Sequence, residues 1–318
     1  MALPTNTATT YANVGIREDL SDVIYRVAPE ETPFTNNIGR SKATATFHEW
    51  QTEDLAAADD SNAVLEGDDA TLDAANIPAR VGNRCQISDK TAVVSGTNDA
   101  VNKAGRDTEM ARQVMLKGME LARDLEKQML SNKASVAGAA GTARQSAGME
   151  SWIVTNASRG AGGSGGGFSG GVVSAPTDGT ARAFTEGLLK AAHLAAFNAG
   201  GKPNQLYMAG VQKQVFSTFA GIADIRKDAP GTGQAVIVGA ADVYVGDFGR
   251  LTAIPHPYGM RSRTVLGVDP RMVAKADLRP MRNWVLSKTG DTEKRQIICE
   301  YCLEVKNEKA HFVVADLS

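Results

Sequence analysis

The feature that most constrains the fold is a long acidic stretch between two strand-like segments. Residues 43–51 (ATATFHEWQ) and 79–94 (ARVGNRCQISDKTAVV) carry the β-branched and aromatic side chains typical of strands. From Gln51 to Ala79 there is no basic residue, whereas there are eight acids. A structureless loop of that length is unusual inside a compact domain. We therefore predict a two-stranded projection whose tip rests on another surface, because an isolated two-stranded ribbon is marginally stable in water.

Length and charge exclude several classes of protein. The 318 residues suffice for about two domains. The 34 basic and 36 acidic residues leave a net charge of −2, which argues against a protein that coats nucleic acid. The first sixteen residues carry no secretory signal, and no apolar stretch approaches the ~18 residues that span a bilayer. We expect a soluble intracellular protein without membrane contact.

Two segments in the first half of the chain have helical periodicity. Residues 17–27 (REDLSDVIYRV) repeat apolar side chains at i, i+3, i+4 and i+7, which predicts a short helix in an N-terminal arm. We predict extended chain at residues 32–34. Residues 99–132 contain no proline and predict one helix on the order of 45 Å long, a length typical of a structural spine.

The second half of the chain changes character several times. Residues 135–171 are rich in small side chains and predict a linker, whose glycine-rich run 159–171 would be flexible unless neighbouring chains order it. Helices alternating with strands predict an α/β region, and antiparallel strands follow it. The predicted helices are 184–198 and 211–219, and the predicted strands are 205–209, 235–245, 251–255, 284–287, 295–305 and 310–315.

The glycine-rich run also matches two catalytic motifs. Residues 160–165 fit G-x-G-x-x-G and residues 162–166 fit G-x-S-x-G. A dinucleotide site needs the run to open a helix, and a nucleophile elbow needs a strand, a turn and a helix. Here the run leads into residues 172–176 (VVSAP) instead. An α/β enzyme that uses residues 159–171 as a phosphate or nucleophile site remains the alternative function, and a binding module built on the long helix is a second one.

Cysteine and histidine spacing gives no metal or nucleophile site. Cys85, Cys299 and Cys302 are too few for a disulfide framework, and no second pair completes a zinc tetrad. Residues three apart on a strand point to opposite faces, so one thiol of the Cys299–Cys302 pair would be buried and the other would not. The favoured interpretation is two unlinked cysteines in or near the core. The four histidines lie far apart in the sequence. We expect no catalytic residue, no metal and no cofactor.

Opposite charges lie in separate parts of the chain. Residues 261–295 hold nine basic and four acidic residues, whereas the 51–79 stretch is purely acidic. This pattern favours head-to-tail contacts between identical chains, with charge setting the register. The candidate inter-subunit contact residues are Phe47, Trp50, Asp54, Asp59, Asp60, Asp68, Asp69, Arg261, Arg263, Arg271, Arg279 and Arg282.

Six segments together resemble one protein family. They are 17–25 (REDLSDVIY), 32–34 (TPF), 47–51 (FHEWQ), 106–125, 151–156 (SWIVTN) and 288–310 (KTGDTEKRQIICEYCLEVKNEKA). The chain resembles the major capsid proteins of tailed bacteriophages that have the HK97-type fold. The resemblance implies an α+β phage-capsid fold with an N-terminal arm (1–40), an extended β-hairpin loop (41–94), a peripheral domain with spine helix and glycine-rich loop (95–180), an α/β axial domain (181–275) and peripheral C-terminal strands (276–318).

The resemblance also implies a function and partners. Identical subunits would form hexamers and pentamers of an icosahedral or prolate shell around double-stranded DNA, without sequence-specific binding. A portal and a separate scaffolding protein would be further partners, and the shell would assemble in the bacterial host cytoplasm. Some relatives form a covalent bond through a lysine of the extended loop. The absence of lysine from the 51–79 stretch argues against such a bond from the tip here.

Overall fold

The computed structural model describes residues 28, 31–70, 72–104, 108–219 and 242–318. The predicted helix at 17–27 and most of the predicted strand at 235–245 lie outside them. The helices are α1 Pro33–Asn37, α2 Gly96–Ala100, α3 Glu109–Met129, α4 Met149–Trp152, α5 Glu186–Asn198 and α6 Gly210–Phe216. The strands are β1 Gly39–Lys42, β2 Phe47–Thr52, β3 Ala79–Arg84, β4 Gln86–Ser95, β5 Ala157–Ser158, β6 Gly167–Ser169, β7 Val172–Ser174, β8 Gln205–Ala209, β9 Val243–Gly246, β10 Gly249–His256, β11 Val265–Val268, β12 Val273–Val285, β13 Thr292–Val305 and β14 Phe312–Val314.

A four-stranded sheet in the order β1-β12-β13-β4 carries the long helix α3. Strands β12 and β13 form the antiparallel hairpin predicted near the C-terminus, although both strands are longer than predicted. Alternate residues of β13, including Ile297 and Cys299, share a buried cluster with Leu121 and Leu125 of α3. One face of the sheet is therefore covered by the helix.

The spine helix is shorter than the predicted helix over 99–132. Helix α2 ends at Ala100, because Val101 has extended backbone angles, and α3 spans 21 residues from Glu109, or about 31 Å. The Asp99 carboxylate accepts hydrogen bonds from the Glu109 and Met110 N–H groups at 2.9 and 3.4 Å. Asp99 thus caps α3 from outside the helix and satisfies donors that the helix itself cannot.

We expect Asp99→Ala to lower the free energy of unfolding by about 1 kcal/mol, the usual value of an N-terminal cap. Asp99→Asn keeps an acceptor oxygen and should lose less. Urea denaturation followed by circular dichroism measures both variants. Equal stability of Asp99→Ala and the parent would show that this carboxylate does not cap the helix.

A six-stranded sheet in the order β5-β14-β11-β8-β10-β9 forms the second body of secondary structure. The predicted helices at 184–198 and 211–219 occur as α5 and α6, and the predicted strands at 205–209 and 251–255 occur as β8 and β10. A buried cluster joins Leu189 of α5 to Leu206 of β8 and Phe312 of β14. The last strand therefore belongs to this sheet. The domain boundaries given above stay a prediction.

The prediction of a linker over 135–171, with a flexible glycine-rich run at 159–171, is wrong. Met149, Trp152 and Ile153 are buried in the main core, and the glycine-rich run leads into the β6–β7 hairpin. A Cβ added to Gly166 would lie 2.1 Å from the Ser174 carbonyl oxygen. Because glycine lets two backbone segments approach this closely, the run packs against its own chain without help from a neighbour.

The expectation of extended chain at residues 32–34 is also wrong, because α1 begins at Pro33. The carboxylate of Glu126, on α3, accepts hydrogen bonds from the Phe34 and Thr35 N–H groups at 2.6 and 2.8 Å. His256, at the end of β10, lies with Nε2 3.0 Å from the same carboxylate. One buried side chain thus joins the first described turn of the chain to the spine helix and to the six-stranded sheet.

Candidate functional site: the extended loop and the basic segment

The extended loop has a short two-stranded base. Strands β2 and β3 pair from Phe47 with Arg84 to Thr52 with Ala79, as the hairpin prediction requires. Beyond these pairs, the described residues of 53–78 form no strand, so the ribbon is shorter than predicted. The second strand-like segment divides at Cys85, and its latter part, β4, pairs with β13 instead.

Both aromatic contact candidates at the base have partners in their own chain. The Trp50 indole N–H donates to the Val305 carbonyl at 3.0 Å, and its ring centroid lies 5.3 Å from that of Trp152. The Arg84 guanidinium lies 4.0 Å from the centroid of the Phe47 ring, a cation–π distance. The Trp50 contacts attach the base of the loop to the body of the subunit, whereas the Phe47–Arg84 contact joins the two strands of the base to each other.

Asn83 is a further anchor that the sequence interpretation missed. This side chain is fully buried, donates to the Leu303 carbonyl at 2.7 Å and accepts from the Ala147 N–H at 2.9 Å. Nearby, His48 Nε2 lies 3.1 Å from the Glu304 carboxylate. An amide in the middle of a strand-like segment was the available signal, since a buried polar group needs such partners.

The tip of the loop has the opposite character. The Lys309 ammonium, 2.6 Å from Asp54, lowers the pKa of that carboxyl group, and hydrogen bonds from Ser61 lower the pKa of Asp59. Asp60, Asp68 and Asp69 are exposed. Among described residues 55–70 and 72–75, hydrogen bonds join only members of this same segment. The contact between the tip and the body of the subunit is therefore at Asp54, close to the end of β2.

The tip also exposes large aliphatic side chains. Five of them are 79 to 97% exposed, namely Leu55, Val64, Leu65, Leu72 and Ile77. Five large aliphatic side chains this exposed on one segment favour a surface that is covered by a partner. Carboxylates and aliphatic groups alternate along the segment, so its partner must offer both basic and apolar side chains.

Four of the five candidate arginines are paired within their own chain. The pairs are Arg261 with Glu150 and Asp178, Arg263 with Asp178 and the Gly179 carbonyl, Arg271 with Asp269, and Arg279 with Glu300. Glu150 and Asp178 precede the basic segment by many residues, so a local count of charges does not include them. Arg282 has no hydrogen bond or ion pair within the described part of the chain. The structure brings none of these five arginines to the loop acids in the same subunit.

Cys299 and Cys302 do not form a reactive pair with each other, because they lie on opposite faces of β13. They point to opposite faces and are unlinked core cysteines, as predicted, but the expectation that one of the two thiols is not buried is wrong. Cys299 packs beneath α3, and Cys302 packs with Cys85 and Ala43 on the other face, which is also covered there. Burial raises the pKa of the Cys299 thiol to about 11, which keeps it protonated and unreactive at neutral pH.

Three further features were considered from the sequence: a metal site, a membrane-spanning helix and a phosphate site. The described residues contain no group of three or more His, Cys, Asp or Glu side chains arranged to hold a metal ion. No helix within those ranges has the length and apolarity needed to cross a bilayer. The glycine-rich run continues into β7 rather than into a helix, so it lacks the helix N-terminus of a phosphate site.

This architecture of a spine helix on one sheet, a second mixed sheet and an extended loop occurs in solved phage capsid structures. The Cyanophage A-1(L) capsid asymmetric unit matches with a TM-score of 0.66 and 11% identity over 95% of this chain and 97% of the other. A native GTA particle capsid matches with a TM-score of 0.59 and 12% identity over 98% and 100% of the two chains. At such identities the likeness shows the fold alone, which is the predicted α+β fold of HK97-type capsid proteins.

Sequence comparison then identifies the family. The model of the family described as SU10 major capsid protein matches residues 3–318, so the chain belongs to this family. A major capsid protein of Escherichia phage Phieco32 is 34% identical over 125 residues, which cover 39% of this chain and 36% of that relative. Membership of a family of major capsid proteins agrees with the resemblance found in the sequence.

Proposed function

We propose that each copy of this chain lends its extended loop to a neighbouring copy, and that this repeated contact closes the shell. The observation that carries the proposal is the loop tip, whose described residues between Leu55 and Ala75 expose carboxylates and aliphatic side chains that have no hydrogen bond or ion pair to the body of their own subunit. A head-to-tail contact between identical chains forms closed rings when its rotation closes. Hexamers and pentamers are such rings.

The remaining partners follow from the family and the charge balance. Subunits would assemble in the host cytoplasm into an icosahedral or prolate shell, with a portal and a separate scaffolding protein. The net charge of −2 favours double-stranded DNA that is enclosed rather than tightly bound. The subunit would work without catalysis, through assembly alone.

The two sheets suggest how a subunit is divided within a ring. The strands of the six-stranded sheet that lie within 181–275, namely β8 to β11, would form the axial domain near the symmetry axis, and the four-stranded sheet with α3 would form the peripheral domain. Strands β5 and β14 would join the two, because they come from the peripheral ranges but pair in the six-stranded sheet. Residues 1–40 would be the arm. The Glu126 contacts to α1 support a fixed starting point for that arm on the body of the subunit.

We expect the double variant Asp59→Lys and Asp60→Lys to assemble more weakly than the parent, and most weakly at low salt, because screening of charge repulsion is then smallest. The neutral double variant Asp59→Asn and Asp60→Asn is the matched control. It should assemble more weakly than the parent and more strongly than the lysine variant. Light scattering of assembling subunits across ionic strength measures the series. Identical assembly of all three proteins at every ionic strength would contradict an electrostatic role for the tip.

A further inference from the structure

Cys85 lies at the joint between the extended loop and the four-stranded sheet. Strand β3 of the loop base ends at Arg84, and strand β4 of the sheet begins at Gln86. The Cys85 N–H donates to the Thr46 carbonyl at 2.8 Å, and its thiol donates to the Ala45 carbonyl at 3.4 Å. The residue between the two strands is therefore held by the segment that leads into β2.

On its other side, Cys85 faces Cys302 of β13, an inner strand of the sheet. The last pair of the β13–β4 ladder joins Tyr301 to Gln86, so the next position along it places Cys302 opposite Cys85. Both cysteines are completely buried and belong to one small cluster. Opposed residues of antiparallel strands have Cα atoms about 4.5 or 5.5 Å apart, and a disulfide needs about 4.4–6.8 Å.

The contact between the two sulfurs makes one of them more acidic. The Cys302 thiol hydrogen-bonds to the Cys85 sulfur, which lowers the pKa of Cys85 although burial and Glu300 oppose that shift. The same hydrogen bond, together with burial, raises the pKa of Cys302. Arg144, which pairs with Glu300, also favours the Cys85 thiolate. Since a thiolate is the nucleophile, Cys85 is the sulfur that reacts first.

The third cysteine, Cys299, is separated from this pair by the sheet. It lies on the opposite face of β13 against α3, and its thiol donates to the Ser88 carbonyl at 3.6 Å. It is close to Cys302 in the sequence but cannot reach it across the strand. Cys299 therefore serves as an internal control for any chemistry of the other two thiols.

We propose that Cys85 and Cys302 are a modification site, which a peroxide oxidises to an intramolecular disulfide that fixes the joint of the extended loop to β13. The inference goes beyond the proposed function and does not depend on it. The link needs no large movement of the backbone, because the two residues already occupy opposed positions. A reducing cytoplasm would keep both thiols free, whereas an oxidising environment would close the link.

The reaction consumes two thiols and one molecule of peroxide. The Cys85 thiolate attacks one oxygen of hydrogen peroxide and the O–O bond breaks, which leaves a sulfenic acid and a hydroxide that takes up the proton lost by Cys85. The Cys302 sulfur then attacks the Cys85 sulfur. An S–S bond forms, the S–O bond breaks, and the hydroxyl group leaves as water with the Cys302 proton. Peroxide is scarcely larger than water, so a local opening of the cluster admits it.

Thiol counting tests whether the link forms. The purified full-length chain is treated with hydrogen peroxide and then unfolded in excess maleimide, with and without prior reduction. We expect one maleimide on the treated parent instead of three, and three again after reduction. Tryptic peptides 85–90 and 296–306 should be joined, with the loss of two hydrogen atoms. Three maleimides on the treated parent, or covalent dimers in place of the internal link, would overturn the proposal.

Three single variants assign the two sulfurs. Cys299→Ser should still form the link and then take up no maleimide, whereas Cys85→Ser and Cys302→Ser should form no internal link. In Cys302→Ser the sulfenic acid has no thiol to attack it, so dimedone should label Cys85. An internal link in Cys85→Ser, or dimedone on Cys299 instead of Cys85, would contradict the assignment.

Thermal unfolding tests whether the link restrains the joint. It closes the segment from residue 85 to residue 302, and a link of that span removes much of the freedom of the unfolded chain. The unfolding midpoint of the linked parent should rise by about 5 °C above that of the reduced parent. Cys85→Ser treated with peroxide controls for methionine oxidation and should show no rise. An unchanged midpoint in a fully linked parent would overturn the proposed restraint.

Discussion

Deletion of residues 54–73 should leave a folded subunit that forms no stable shells. The deletion keeps every pair between β2 and β3, together with the Trp50 and Asn83 contacts at the base of the loop. It removes one exposed ion pair to the body, between Asp54 and Lys309, and exposed pairs contribute little to stability. Thermal unfolding should therefore stay close to that of the parent, whereas electron microscopy should show no intact particles.

A second variant separates the length of the loop from its chemistry. Replacing residues 54–73 by a glycine–serine segment of equal length keeps the reach of the loop but removes its acids and aliphatic side chains. This variant should also fail to form shells, because a flexible polar segment has nothing to bury on a neighbour. Normal particles from the deletion would show that the loop has no role in closing the shell, and normal particles from the glycine–serine variant alone would show that the side chains of residues 54–73 have none.

Among the single substitutions discussed, Glu126→Ala should lower the free energy of unfolding most, by about 3–5 kcal/mol. It leaves buried hydrogen-bond donors without an acceptor. The Glu126 side chain is completely buried and accepts from Phe34, Thr35 and His256. His256 Nδ1 accepts from the Gly259 N–H at 2.7 Å, so the imidazole proton is on Nε2 and points to the carboxylate. Urea denaturation measures the loss, and hydrogen exchange should show faster exchange at residues 34–38.

Two control variants show whether this carboxylate is special. Glu126→Gln keeps one acceptor oxygen but turns an amide donor toward the other N–H groups. Its free energy of unfolding should therefore lie between those of the parent and Glu126→Ala. Glu120→Ala removes a half-exposed carboxylate on the same helix, paired with Lys117, and should change stability by less than about 0.5 kcal/mol. Equal stability of Glu126→Ala and Glu120→Ala would contradict the anchoring role.

Sequence patterns predicted those elements whose signal is local. The β-branched and aromatic side chains at 43–51 and 79–94 indicated the base of the loop, and the helical period at 184–198 indicated α5. The two strands around the turn at 289–291 were also predicted, although β12 extends back to Val273. In each case neighbouring residues alone decide the conformation, so periodicity is sufficient.

The errors concern features that depend on distant parts of the chain. The glycine-rich run looked flexible because its packing depends on the Ser174 carbonyl and on Asp316, which accepts from the Gly160 N–H at 2.9 Å. The spine helix was predicted to be too long because the residue that caps α3 is not adjacent to it in the sequence. The cap is Asp99, ten residues before Glu109. A count of charges from 261 to 295 likewise missed Glu150, the partner of Arg261.

The candidate contact residues also fall into a group whose exposure depends on local composition and a group whose availability depends on distant residues. Exposure of the loop tip follows from its composition, and the structure places Asp59 and Asp60 on that exposed tip. Whether an arginine is available to a neighbour depends on acids far away in the sequence, so Arg282 could not be distinguished from Arg279 before the sheet register was known.

The state of association of the purified chain tests the central claim most directly. Size-exclusion chromatography with light scattering should give hexameric rings or megadalton particles, because a subunit with an uncovered loop completes that surface on identical copies. A stable species at the 33.5 kDa mass of one chain, at concentrations where relatives of this fold would assemble, would contradict the claim and favour an enzyme or binding module that works alone.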